Sequence, residues 1–235
     1  NDMNLNYFSI VIPVYNEEDN IDILYNEIKK ELSQLTTYEI IFINDGSTDG
    51  SKNILRNLEN YKDIKIIQHQ FNLGQSRSLL SGISSSKYET IVTLDGDGQN
   101  DPRDILRLIK IFFSDKNLEL VGGLRLKRKD SPVKVISSQI ANYIRSRLLK
   151  DNCLDTGCGL KVFNKKIFLF FPFFDGIHRF LPALFNGHGY KTKFVEVNHR
   201  KRMRGISKYG TLKRLLFGIK DIIRVKKIIN RKNNV

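Results

Sequence analysis

A chain of 235 residues, 40% of them hydrophobic, is long enough for one large domain with a real core, which excludes wholesale disorder. Two cysteines, Cys153 and Cys158, with no zinc pattern around them, exclude a disulfide scaffold and fit a reducing, cytoplasmic setting. The net charge of +14 is divided unequally: residues 1–120 carry 12 Lys/Arg against 19 Asp/Glu, whereas residues 121–235 carry 27 against 6. The second half therefore expects an anionic partner: nucleic acid, an anionic membrane or a phosphorylated substrate.

Phe8 to Val14 reads as a buried strand that leaves through Tyr15-Asn16-Glu17-Glu18. This stretch is too short for a signal peptide, contains Pro13 and runs into acidic residues. Ile21, Leu24, Ile28, Leu32 and Leu35 share one face of a following helix. Tyr38 to Ile43 is the second strand, followed by Asn44-Asp45-Gly46-Ser47-Thr48-Asp49-Gly50, where Thr48 or Asp49 can cap a helix with Ile54, Leu55 and Leu58 inward. Ile64 to Gln68 is the third strand, and Asn72-Leu73-Gly74 turns into a helix near Gln75 to Ser85. Glu89 to Leu94 is the fourth strand; Pro102 starts a helix with Ile105, Leu108, Ile109 and Phe112 inward; Leu118 to Gly122 is a further strand.

Strands that alternate with helices, and that are apolar along their length, predict a mostly parallel sheet covered on both faces. Ligands of such sheets bind beyond the carboxyl ends of the strands. Three polar motifs fall there: Tyr15 to Glu18, Asn44 to Asp49 and Asp95 to Gln99. Neither GxGxxG nor GxxxxGK[ST] follows the first strand, which disfavours a dinucleotide enzyme or a P-loop NTPase.

In Leu94-Asp95-Gly96-Asp97-Gly98-Gln99, two carboxylates two residues apart end a buried strand. They cannot enter a core unpaired, but at a strand end they can meet a hard cation and a phosphate. Gly96 and Gly98 let a ligand approach the backbone, and Gln99 offers a third oxygen. In isolation the same pattern also suits a solvated acidic turn.

Past residue 123 the alternation fades. Residues 132–149 read as a helix, Asp155 to Phe163 as a glycine-interrupted segment entering a strand or turn, and Phe194 to Asn198 as an edge strand. A basic loop follows from His199 to Gly210. His69, His188 and His199 are expected to face solvent, and the phenylalanines at 168, 170, 171, 173 and 174 to pack in the core. Asp155, Asp175, His178 and Arg179 fit either turn and helix capping or contacts to a sugar or phosphate. In the tail, Leu212, Leu215, Leu216, Ile219, Ile222, Ile223 and Ile229 form an apolar face beside Lys213, Arg214, Lys220, Arg224, Lys227 and Arg231. That composition suits an amphipathic helix on a membrane surface or one packed on its own domain, and the membrane is the favoured setting.

Together these segments resemble the family 2 glycosyltransferases of GT-A fold, in the polyprenyl-phosphate branch typified by dolichol-phosphate mannosyltransferases. The resemblance rests on Ile12 to Glu18, Asn44 to Gly50, Asn72-Leu73-Gly74, Leu94 to Gln99, and Arg202, Gly205, Ser207 and Lys208 of an Arg-x-x-Gly-x-Ser-Lys signature. It implies a catalytic domain over 1–210 and a basic amphipathic tail over 211–235. Pro13, Val14, Tyr15, Glu17, Asp45 and Asp95 would line the nucleotide. Asp95, Asp97 and Gln99 would hold Mg²⁺ or Mn²⁺. Arg125, Lys134 and Ser138 would receive the acceptor phosphate, with Lys134 standing where many relatives have arginine. Asp97, Arg202 and Lys208 would serve catalysis.

The implied reaction is inverting transfer of a hexose to dolichyl or undecaprenyl phosphate. GDP-mannose is the favoured donor, and UDP-glucose and UDP-N-acetylglucosamine also fit. A lipid phosphate is already anionic, so a strong general base is not required. The expected location is the cytoplasmic face of a membrane, peripherally. Because many relatives continue into spanning helices, the chain is expected to use the surface itself, a membrane-embedded partner or a homo-oligomer. A family 2 enzyme acting on a glycan or glycolipid is the alternative. A nucleic-acid-binding domain lacks a reader motif and leaves the acidic strand ends unexplained, so nucleic acid is not an expected partner.

Overall fold

The chain, seen here in a computed structural model, is described over residues 7–35, 37–125, 143, 145–151, 153–200 and 211–232, with side chains of the last helix described over 220–230. In order it forms β1 (Phe8–Val14), α1 (Glu18–Glu31), β2 (Tyr38–Asp45), α2 (Ser51–Leu58), β3 (Ile64–His69), α3 (Gln75–Ser84), β4 (Thr90–Thr93), α4 (Arg103–Ser114) and β5 (Leu118–Leu124). Then come β6 (Lys161–Asn164), α5 (Lys165–Phe170), a 3-10 turn (Ile177–Arg179), α6 (Leu181–Gly187), β7 (Lys191–Glu196) and α7 (Thr211–Lys232). Of the helix expected over 132–149, residues 143 and 145–149 are described and are helical.

The seven strands make one sheet in the order β3-β2-β1-β4-β6-β5-β7. All neighbours are parallel except at β6, which runs antiparallel between β4 and β5. Two faces of apolar side chains explain the continuous strands. Phe8, Ile10 and Ile12 of β1 face Leu24 and Ile28 of α1, Leu55 of α2 and Leu108 of α4. Val11, Ile41 and Ile43 face the other layer, with Leu79 and Ile83 of α3, Phe168 of α5, Leu184 and Phe185 of α6 and Val225 of α7. Helices thus cover both faces, as the apolar runs predict.

Strand order reverses between β1 and β4: β2 and β3 lie to one side of β1, and everything after β4 to the other. This is the switch point at which doubly wound sheets leave a crevice beyond the strand ends.

Three sequence expectations are corrected. His69 is not in solvent, since its side chain is 9% exposed. His188 is buried as well, with Nδ1 2.8 Å from the Leu184 carbonyl and its ring 4.9 Å from that of Phe171. Among the phenylalanines, Phe168, Phe171 and Phe174 are buried but Phe170 is 70% exposed.

The last helix packs on its own domain over the described side chains. Asp221, Ile222, Val225, Ile228 and Ile229 turn inward, while Lys220, Ile223, Arg224, Lys226 and Lys227 turn outward. Ile223 therefore leaves the apolar face that simple spacing assigns it, and Val225 takes that place with no exposure. Leu212, Lys213, Arg214, Leu215, Leu216, Ile219 and Arg231 lie outside the described side chains. No helix among the described residues is long and apolar enough to cross a membrane. Burial pushes the thiols of Cys153 and Cys158 up to about 11, which leaves both protonated and unreactive.

Candidate functional site

The loops after β1 and β2 are sewn to each other. Asn16, at φ +53°, donates its backbone N–H to Ser47 Oγ (2.9 Å), and its Oδ1 accepts from the Thr48 N–H (2.7 Å). Glu17 N–H donates to Ser51 Oγ at 2.9 Å, and Glu18 Oε2 accepts from the Gly50 N–H at 2.5 Å. Asp49, the residue before the N-cap Gly50, accepts at Oδ1 from the first N–H of α2, at Ser51 (3.0 Å), so neither Thr48 nor Asp49 takes the expected N-cap position. Glu17, expected to face the nucleotide, turns its Oε2 to Asn20 Nδ2 at 2.7 Å. Tyr15 is half-buried at the mouth of the crevice, and Val14 lies in the core beneath it.

Asp45 ends β2 with both oxygens engaged. Oδ1 accepts from the Leu73 N–H at 2.9 Å, and Oδ2 from the Gly74 N–H at 2.8 Å. His69 Nδ1 lies 2.8 Å from Oδ1, and the far side of the ring meets Ser81 Oγ at 3.0 Å. The carboxylate thereby fixes the Asn72-Leu73-Gly74 turn over the sheet.

The loop after β4 is arranged differently. Asp95 N–H donates to Asn100 Oδ1 (3.1 Å), Asp95 Oδ1 accepts from Gln75 Nε2 (2.9 Å), and Asp97 Oδ1 accepts from the Gln99 N–H (3.1 Å). Burial and the neighbouring Asp97 carboxylate push the Asp95 carboxyl up to about 6, against the opposing pull of Lys161, Arg125 and Gln75. Two glycines make the arrangement fit. A β-carbon on Gly96 would come 2.7 Å from the Pro13 carbonyl oxygen, which seats this loop against the end of β1 at the switch point. A β-carbon on Gly159 would come 2.2 Å from Asp95 Oδ2, so the carboxylate lies flat on bare backbone. Thr93 Oγ1 donates to the Gly159 carbonyl at 2.7 Å and holds that backbone in place.

On the far side, Arg125 grips Asp155 with two bonds, Nε to Oδ2 at 2.7 Å and Nη2 to Oδ1 at 2.8 Å. Lys161 is buried, with its ammonium donating to the Cys158 carbonyl. Asn198 and Arg200 tie the start of the basic loop to the site: Asn198 N–H donates to Asp104 Oδ2 at 2.7 Å, and Arg200 N–H to the Gln99 carbonyl at 3.0 Å. The Arg200 guanidinium also forks onto Glu27 at 2.9 and 2.7 Å. His178 Nδ1 lies 2.7 Å from Ser76 Oγ, and Arg179 pairs with Asp221 of α7 at 3.6 Å. Asp155 and Arg179 are thus partners of other charged residues.

Among the expected site residues, Pro13, Tyr15, Asp95, Asp97 and Gln99 lie at the strand ends beside the switch point with Val14 in the core beneath them, and Glu17, Asp45 and Arg125 are held by the partners just described. Lys134, Ser138, Arg202 and Lys208 lie outside the described residues. Sequence reasoning passed over Gln75, Lys161 and the Arg200–Glu27 pair. Gln75 directly follows the Asn-Leu-Gly motif, and that adjacency was the available signal.

Two carboxylates and an amide oxygen suit a hard divalent cation that completes its shell with phosphate oxygens and water. No cluster of three or more His, Cys, Asp or Glu among the described residues would hold a metal by itself. The mutual repulsion of Asp95 and Asp97 is what a shared cation relieves, so the residues fit such an ion.

Residues 9–170 match the glycosyl transferase family 2 domain. The undecaprenyl-phosphate 4-deoxy-4-formamido-L-arabinose transferase of Aeromonas hydrophila subsp. hydrophila is 32% identical over 216 residues, covering 90% of this chain. The dodecaprenyl-phosphate galacturonate synthase of Rhizobium johnstonii is 33% identical over 226 residues, covering 92%. The chain spans 65% of the length of each of these relatives. The glucosyl-3-phosphoglycerate synthase of Mycobacterium tuberculosis, crystallised with Mg²⁺ and uridine diphosphate, superposes with a TM-score of 0.71 at 16% identity, covering 92% of this chain and 79% of that one. That likeness establishes the GT-A fold.

Proposed function

The chain belongs to glycosyl transferase family 2, and from that premise we propose that it moves a sugar from a nucleoside diphosphate onto a polyprenyl phosphate. The observation that carries the reading is the Asp95–Asp97 loop seated against the end of β1 where strand order reverses. Both relatives named above act on a polyprenyl phosphate, which supports the acceptor. Their sugars, 4-deoxy-4-formamido-L-arabinose and galacturonate, join mannose, glucose and N-acetylglucosamine as donor groups to test.

Pro13, Val14 and Tyr15 would line the base and ribose. Glu17 and Asp45 would shape that pocket through the loops they hold, since Glu17 Oε2 and both Asp45 oxygens are already engaged. Asp95, Asp97 and Gln99 would hold Mg²⁺ or Mn²⁺, and the ion would supply Lewis-acid stabilisation of the departing diphosphate. Arg200, docked on Gln99, stands two residues before Arg202; Arg202 and Lys208 would add positive charge at the same leaving group. Arg125 keeps its charge beside Asp155 and, with Nε and Nη2 committed, would meet the acceptor phosphate through Nη1; Lys134 and Ser138 would complete that contact. The lipid phosphate oxygen attacks the anomeric carbon as the diphosphate leaves, so a single displacement inverts the centre.

Contact with an anionic membrane on its cytoplasmic side falls to the outward basic face of α7, at Lys220, Arg224, Lys226 and Lys227, because its inner apolar face is used by the domain. Sedimentation with anionic and neutral vesicles tests this: salt-sensitive binding to the anionic set alone is expected, and equal binding to both removes the basic face from the reading.

The deciding experiment is product formation with a short polyprenyl phosphate, Mg²⁺ or Mn²⁺, and labelled GDP- and UDP-sugars. Chelator-sensitive glycolipid from one donor is the expected result. No glycolipid from any donor, by protein that still binds nucleotide, overturns the lipid acceptor in favour of a glycan or glycolipid.

A further inference from the structure

We propose that Gln75 is a positioning residue for Asp95, fixing that carboxylate in the orientation in which it shares a divalent cation with Asp97. The inference rests on the metal reading of the Asp95–Asp97 loop given above. Gln75 Nε2 donates to Asp95 Oδ1 at 2.9 Å across twenty residues of sequence.

The donor is itself held still. Gln75 opens α3 between two anchored neighbours. Gly74 gives its N–H to Asp45, and the buried Ser76 accepts the Gly176 N–H at 2.8 Å while its Oγ meets His178 Nδ1 at 2.7 Å. Leu79 and Ile83 then fasten the helix into the core. The Gln75 amide therefore projects from a fixed backbone.

The carboxylate is confined from the other side as well. The backbone of Gly159 lies where a β-carbon would touch both Asp95 oxygens, at 2.2 and 2.6 Å, and Asn100 takes the Asp95 N–H. With the amide on one edge and bare backbone against its face, the carboxylate has lost its rotational freedom before any ligand arrives, which is how a binding constellation is preorganised.

The chemistry of the donor matters. An arginine or lysine at this position would neutralise Asp95 and compete with a cation for it. A neutral amide gives one hydrogen bond and leaves the full negative charge in place. Glutamine is the side chain that can orient the ligand without consuming it.

The test uses Gln75→Met, which keeps the length and loses the donor, and Gln75→Ala, with Asp97→Ala as reference. Mn²⁺ binding is titrated calorimetrically with and without uridine diphosphate, and melting temperature is recorded. Both Gln75 variants are expected to bind Mn²⁺ about tenfold more weakly, a loss of about 1.4 kcal/mol. Metal-free nucleotide affinity and melting temperature are expected to stay at the unsubstituted level. In the transfer assay, donor KM at limiting Mn²⁺ should rise while kcat at saturating Mn²⁺ is kept. Full Mn²⁺ affinity in Gln75→Met, with Asp97→Ala unable to bind it, overturns the inference and leaves the metal reading standing. A lowered melting temperature with unchanged Mn²⁺ affinity assigns Gln75 to structure alone. Absence of Mn²⁺ binding by the unsubstituted protein overturns the metal reading, and this inference with it.

Discussion

Asp45 and Asp95 are both carboxylates at the carboxyl end of a central parallel strand, one on β2 and one just past β4, yet their surroundings are opposite. Asp45 accepts two backbone N–H groups and stands 2.8 Å from an imidazole nitrogen. Asp95 accepts one side-chain amide, and its nearest charged neighbour in sequence is another carboxylate, Asp97. The first is complete within the protein and holds a loop. The second is charged against burial and the neighbouring Asp97, and on the proposed reading it would gain from a cation. On that reading, position at a strand end would not be enough to make a cation ligand; incomplete neutralisation would.

The largest expected effect falls on the incomplete pair. Asp97→Ala should lower metal-dependent turnover by about a thousandfold or more, equivalent to roughly 4 kcal/mol of barrier, with the unfolding midpoint unchanged or raised. Turnover at the unsubstituted level would place the cation elsewhere. Asp45→Ala should do the reverse. It strands the Leu73 and Gly74 donors and the His69 ring, so urea denaturation should show a loss of roughly 2–4 kcal/mol. An unchanged midpoint would mean that water replaces the carboxylate and that the contrast between the two sites is false.

A third measurement sharpens the comparison through pH. The folded Asp95 carboxyl titrates near 6, above its unfolded value. A raised folded value means the folded state binds the proton more tightly. Its stabilising contribution is complete below about pH 4 and is lost as pH rises through 6. Asp95→Asn removes that loss. Without added metal, the variant should be more stable than the parent at pH 8, by on the order of 1–3 kcal/mol, and the gap should close near pH 4. A pH-independent gap would assign the effect to packing.

The sequence makes one member of this comparison easier to read than the other. Asp95 and Asp97 announce themselves because two acids directly follow the apolar run Ile91-Val92-Thr93-Leu94. The parallel core is legible for the same reason: β1, β2 and β4 are apolar on both faces and end abruptly in polar turns. What completes Asp45 is invisible locally, because His69 is 24 residues away and the turn at 73–74 lies further still. Arg125 and Asp155 are separated by 30 residues, so the carboxylate that holds this guanidinium is invisible locally as well. The antiparallel β6 was hard to place because its first residue, Lys161, is a buried lysine whose partners are backbone carbonyls. In α7, spacing identified an amphipathic helix but put Ile223 on the wrong side, since Val225 is the fully buried residue that joins the cluster shared with Leu184 and Phe185 of α6.

The smallest expected effect tests how complete Asp45 is. His69 bridges Asp45 and Ser81 from the last position of β3, the edge strand, with 9% of its side chain exposed. His69→Ala removes one of the three groups around the carboxylate and leaves the two backbone donors in place, so the loss should be about 1 kcal/mol. That is well under the cost of Asp45→Ala, and it should come without a change in Mn²⁺ affinity. A loss as large as that of Asp45→Ala would make the imidazole, rather than the 73–74 backbone, the element that completes the site. The double variant separates the two accounts. If His69 acts only through Asp45, combining the substitutions should cost no more than Asp45→Ala alone.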